Sequence, residues 1–152
     1  MISMAMLILS LFTSNANAQV MDLNGTWTGS GISYSYHNEE PIDCSNFIFE
    51  FRQTASELEL LHGEVSCKYG PQQYLPFITE IKDYRLLSED PNFTGSITKE
   101  FVTATWVNPY DNNSESTMMF KLINGEIHYS DVARTNDGKK WFRTFGILKK
   151  IK

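Results

Sequence analysis

Residues 115–134 read ESTMMFKLINGEIHYSDVAR. At their centre stands Asn124-Gly125, the favoured pair for a two-residue type I′ turn, because both positions must adopt positive φ. That turn sets Leu122 opposite Ile127, Phe120 opposite Tyr129 and Met118 opposite Asp131. Successive strand residues alternate between faces, so one face of this hairpin is apolar except at its far end. The other face pairs Lys121 with His128 and Met119 with Ser130, which suits solvent.

Working outward, no stretch carries an apolar period of 3.6. Short runs rich in Val, Ile, Thr, Phe, Tyr and Trp recur instead, separated by Gly, Asn, Asp and Pro. Strands are predicted over 25–36, 45–54, 57–67, 76–82, 84–89, 92–98, 100–108, 115–123, 125–134 and 139–149. The pieces at 76–82 and 84–89 could also form one bent strand. Regular spacing with turn signals between argues for an all-β, antiparallel up-and-down meander.

Two further turns predict register. Asn136-Asp137-Gly138 suits a three-residue loop with Gly in the left-handed position. It would set Ala133 against Trp141, Asp131 against Arg143, Tyr129 against Phe145 and Ile127 against Ile147. A turn centred on Ala55-Ser56 would face Arg52 with Glu59, Phe51 with Leu60, Phe49 with His62 and Phe47 with Glu64. The same register brings Cys44 opposite Cys67, within reach of a disulfide. The chain has no other cysteine. Neither one has a second Cys or His beside it at zinc-like spacing, so a bond is favoured over free thiols or metal ligation.

Residues 1–18 have the form of a secretory signal. Met4–Phe12 is an apolar run too short to span a bilayer, and Ala16-Asn17-Ala18 has the small-x-small form that signal peptidase cleaves. The expected mature chain, 19–152, is of single-domain size, has no transmembrane segment after signal cleavage, and resides in the periplasm or outside the cell. An oxidising compartment is where a disulfide persists. Net charge is −5, yet seven of the 13 basic residues fall in Arg134–Lys152 beside one acid, Asp137. Those cations alternate with Trp141, Phe142, Phe145 and Ile147. That pattern belongs to a strand rather than a polyanion-binding tail, and no nucleic-acid partner is expected.

Gly25-Thr26-Trp27 opens the first strand, and Gly146-Ile147-Leu148-Lys149 closes the last. Together with a Cys pair flanking the second and third strands, these residues resemble small exported bacterial barrels of lipocalin-like (calycin) type, mostly uncharacterised. The resemblance covers nearly all of residues 19–152. It implies that the all-β meander closes into a single barrel of 8–10 strands, that Trp27 plugs the closed base, and that a basic residue near the end of the last strand, Lys149, packs over it. The Thr-Asp-x-x-Tyr turn of ligand-transporting lipocalins is absent, and the stretch 37–43 is too short for a helical lid.

On this layout Phe47, Phe49, Phe120 and Tyr129 would floor an interior whose mouth carries His62, Glu64, Asp131 and Arg143. A polar ring over an apolar cup suits a small lipid-like molecule, such as a fatty acid whose carboxylate meets Arg143. The competing reading makes Asp131 and Arg143 a cross-strand ion pair. Trp106 and Trp141 are expected to fill the core. No catalytic residue, metal site or cofactor is indicated: Gly29-Ser30-Gly31 precedes no helix, and the oxygens of 111–115 do not have EF-hand spacing. The leading expectation is a non-enzymatic ligand-binding barrel. The alternative is a barrel packed solid by its three Trp, seven Tyr and ten Phe, acting through its surface.

Overall fold

The computed structural model describes residues 19–111 and 113–151. The predicted signal segment lies outside the described residues.

Eleven strands follow in chain order: β1 Gly25–Ser35, β2 Asn38–Gln53, β3 Glu57–Cys67, β4 Gly70–Tyr74, β5 Phe77–Lys82, β6 Arg85–Leu87, β7 Phe93–Ile97, β8 Phe101–Asn108, β9 Ser114–Ile123, β10 Glu126–Arg134 and β11 Trp141–Lys150. Every pairing is antiparallel. Neighbours in sequence are neighbours in space, and β1 pairs with both β2 and β11, so ten strands close into a barrel. The eleventh, β4, pairs only with the upper part of β3. It continues the line of β5 along β3, interrupted at Leu75-Pro76, where proline has no N–H to give the ladder. The pieces at 76–82 and 84–89 are two strands, β5 and β6, because Asp83 and Tyr84 both take positive φ and turn the chain tightly between them.

One end of the barrel, the base, gathers Trp27, the Ala55-Ser56 and Asn124-Gly125 turns and the end of β11. Residues 19–24, which sequence reading left without a role, plug this end. Met21 is 2% exposed and Leu23 fully buried. Met21 N–H donates to Thr98 O, Trp27 Nε1 to Leu23 O, and the Gln53 amide joins both Met21 O and Leu23 N. Trp27, 4% exposed, is buried at this end. The basic residue over it is Lys150, with Nζ 5.7 Å from the ring centre. Lys149 points outward to Glu126 at 3.1 Å.

The 115–134 hairpin has the predicted register throughout, including Phe120–Tyr129 and Met118–Asp131. The next hairpin does not. Thr135 N–H donates to Lys140 O, giving a four-residue loop where three were expected. One residue of slip turns every side chain of β11 to the opposite face. Thr144 and Leu148 therefore face the core, while Arg143, Phe145, Ile147 and Lys149 face outward.

Between β2 and β3 the predicted pairs hold near the turn, at Arg52–Glu59 and Phe51–Leu60. A bulge at Leu61 then shifts the ladder so that Phe49 meets Gly63 and Phe47 meets Val65, and a second bulge at Ser45 restores the register at Cys44–Cys67. Those two cysteines are bonded, closing a sequence separation of 23. A cross-link of that span stabilises by roughly 3–4 kcal/mol through lost denatured-state entropy. A Cys44→Ala/Cys67→Ala variant should lose about that much in urea melts, and dithiothreitol should reproduce the loss in the unaltered protein.

Candidate functional site

The barrel interior has two layers. The lower and middle parts are aromatic. Phe47 and Phe49 are fully buried, and Phe120 and Tyr129 are each 2% exposed. Phe49 sits at the centre, its ring 4.8 Å from Tyr129, 5.2 Å from Phe120 and 5.6 Å from Tyr74. Trp106 fills the side of this core against Phe77 and Phe93. These rings pack on one another, so they form a solid floor and not the walls of a deep cup.

Above that floor lies a polar ring. Tyr129 Oη donates to Tyr74 Oη at 2.7 Å, and Tyr74 Oη donates to Asp131 Oδ2 at 2.8 Å. Ser116 Oγ donates to Asp131 Oδ1 at 3.0 Å, and the Gln72 side chain lies beside this carboxylate. Thr144, the cross-strand partner of Asp131, shares a 3.0 Å hydroxyl–hydroxyl bond with Ser33.

Between this ring and solvent, at the disulfide end, opens a cleft of about 470 Å³. Its walls include Ser33, Ser35, Ile42, Val65, Gln72 and Phe142. Gln72 thus stands between the cleft and the carboxylate. A separate groove of about 890 Å³ runs over the outside of β1, β11, β10 and β9, where Phe145 and Ile147 are 41% and 47% exposed.

Of the residues proposed for the mouth, only Asp131 faces inward, at 5% exposure. His62 and Glu64 lie on the outer face because the Leu61 bulge inverts the parity of upper β3; Glu64 accepts a bond from Ser66. Arg143 is outside because of the four-residue loop, its guanidinium carbon 5.2 Å from the Trp141 ring centre. Trp141 is accordingly half-buried on the outer face and fills no core. Both readings of an Asp131–Arg143 pair fall together, since the two side chains lie on opposite faces of the sheet. Among the described residues, Asp131 takes part in no ion pair, and no group of three His, Cys, Asp or Glu is placed to hold a metal.

Sequence reasoning missed Ser33, Gln72, Tyr74, Ser116 and Thr144. Gln72 and Tyr74 lie in the GPQQY stretch, whose Gly, Pro and paired Gln carry a loop signal rather than a strand one. Ser116 and Thr144 were on strands correctly found, but small hydroxyls carry no pattern that separates an inner from an outer face.

Burial pushes the Asp131 carboxyl above its ordinary range, opposed by the donors Tyr74, Ser116 and Gln72. Burial likewise raises both phenols, with the Asp131 charge adding to the effect on Tyr74 and on Tyr129. An acid whose folded-state affinity for protons exceeds its unfolded value favours the folded state more when protonated. Its contribution is therefore lost as pH rises from the unfolded value through the raised folded one. Asp131→Asn cannot titrate. The difference in melting temperature, variant minus unaltered protein, should shift in the variant's favour between pH 4 and pH 7, as read from paired thermal melts.

No family model matches the chain. No curated protein matches it. Among solved structures, the chain is similar to the structure of EF1p2_mFAP2b bound to DFHBI, at 9% sequence identity over 85% of this chain and 94% of that chain, with a TM-score of 0.47.

Proposed function

We propose that this chain is an exported, non-enzymatic β-barrel that binds a small apolar or amphipathic molecule at its mouth. The observation that carries this reading is the mouth cleft of about 470 Å³, apolar on part of its wall and backed by a hydrogen-bonded polar ring. Small-molecule sites commonly occupy roughly 300–1,000 Å³ and combine an apolar lining with a few convergent polar groups. The ligand lies above Phe47, Phe49, Phe120 and Tyr129, which support the site from below and keep water from its floor. Hydroxyls of Tyr74 and Ser116 bind Asp131, an arrangement that holds a carboxylate in place rather than activating a nucleophile. Export rests on residues 1–18, with the disulfide supporting an oxidising destination, periplasmic or extracellular.

A second reading has its own observation in favour. The aromatic interior is filled, and Phe145 and Ile147 leave apolar surface in the outer groove. On that reading the protein is a packed module that works by surface contact.

Native mass spectrometry of protein purified gently from its own host, compared with the denatured mass, separates the two. A discrete extra mass of small-molecule size, lost on unfolding, is the expected result. A bare mass that stays bare after incubation with lipid extract, together with no saturable uptake of Nile red, would overturn ligand binding in favour of the packed module.

A further inference from the structure

We infer that the mouth cleft selects a cationic amphiphile, an alkylammonium-type molecule whose head group is received by the Asp131 carboxylate. The inference rests on the cleft being a ligand site, and adds the sign of the ligand's charge.

Among the described residues, the buried polar groups are Ser35, Thr79, Asp131 and Thr144, so the one buried charge is an acid. Its hydrogen-bond chain has a single direction: Tyr129 donates to Tyr74, Tyr74 to Oδ2, and Ser116 to Oδ1. Each of these hydroxyls can donate, so the shell can hold an ionised carboxylate, which only accepts. Each donor is neutral, and no Lys, Arg or His is among the buried residues described. The negative charge is hydrogen-bonded but not balanced.

A carboxylate offers about four acceptor positions, and here Tyr74 and Ser116 take two. The remaining positions are the ones a ligand can take. Gln72, beside the carboxylate, sits in the cleft wall on β4, which pairs with β3. An ammonium entering from the cleft reaches the carboxylate past Gln72, while its alkyl chain lies against Ile42, Val65 and Phe142. A fatty acid would bring a second negative charge into the same poorly solvated space, where repulsion is strong. Arg143 is on the outer face, and among the described residues lining the cleft the basic side chain is His37, which is exposed.

The test is calorimetric titration of the purified protein at pH 7 with octylammonium, octanol and octanoate, which share a chain length and differ in charge. Octylammonium should bind with unit stoichiometry and about 10- to 100-fold more tightly than octanol, the range a charge-assisted hydrogen bond supports. Octanoate should be the weakest. Asp131→Asn should abolish the preference, bringing octylammonium to about the affinity of octanol for the same variant. If octanol and octylammonium bind equally to the unaltered protein, the cation inference fails and the cleft survives as a neutral site. If none of the three saturates, the ligand-binding reading itself fails. Should the Asn variant not fold, the three-ligand order on the unaltered protein decides alone.

Discussion

Phe49→Ala should lower unfolding free energy by about 4 kcal/mol, the middle of the range for a large buried aromatic. Phe49 is fully buried and its ring meets Phe51, Tyr74, Phe120 and Tyr129 from β2, β4, β9 and β10. It is therefore the point where opposite walls of the barrel touch. Truncation removes both its transfer free energy and the edge-to-face contact with Phe120. The neighbours cannot collapse into the space, because Phe47 is itself wedged against Tyr129. A domain is commonly stable by only about 5–15 kcal/mol, so the loss would be a large share of the total. Urea melts of the two proteins give the comparison. A loss below about 1 kcal/mol would mean that the interior is looser than these contacts describe. The cavity left by Phe49→Ala would lie directly under Tyr74, so the variant should also disturb the polar ring.

What could be read from the sequence was set by how tightly each local signal constrains its outcome. Asn124-Gly125 permits one short loop, and the whole ladder from Ile123–Glu126 to Arg134–Glu115 follows from it. Asn136-Asp137-Gly138 permits loops of three or four residues, and strand β11 gives no help in choosing. Phe145 and Ile147 on one face are as apolar as Leu148 on the other, so a hydrophobic pattern supports either parity. The chosen register leaves apolar residues outside, against the usual expectation, and puts Thr144 and Gly146 within. Bulges are harder still. Leu61 has no residue type that marks it as unpaired, yet it carries His62 and Glu64 out of the barrel. The disulfide pairing survived only because the Ser45 bulge cancels the first. The mouth does carry polar groups above the aromatic layer. Their identity, apart from Asp131, depended on registers that the sequence left open.

The polar ring has a physical cost that the aromatic layer does not. Burying a carboxylate without a cation is unfavourable even when it is well hydrogen-bonded, and the raised proton affinity of Asp131 expresses that cost. Groups that weaken a fold while remaining well ordered are where binding sites are expected. The core can be explained by packing alone. Asp131 cannot, and this asymmetry is what directs attention to the mouth.

Gly146→Val is the substitution that most sharply separates the two parities of β11. With Gly146 facing outward, as the three-residue loop would have it, a β-branched residue would be harmless or mildly favourable on a strand. In the four-residue register Gly146 faces inward opposite Tyr129, and even a methyl group there would overlap the ring of Phe47. Phe47 is fully buried and cannot swing aside without displacing Tyr129. The strand must then bend away from the core, opening the seam between β11 and β1 that closes the barrel. Overpacking a filled core costs typically 1–3 kcal/mol and sometimes more, and here about 3 kcal/mol is expected. The control lies one residue away. Phe145→Thr alters an outward side chain, 41% exposed, and should change stability by no more than about 0.5 kcal/mol. Parallel urea melts of the two variants would therefore show a steep loss for the glycine and almost none for the phenylalanine. The opposite order would return β11 to the other face, place Arg143 inside beside Asp131, and restore an ion pair at the mouth in place of an uncompensated acid.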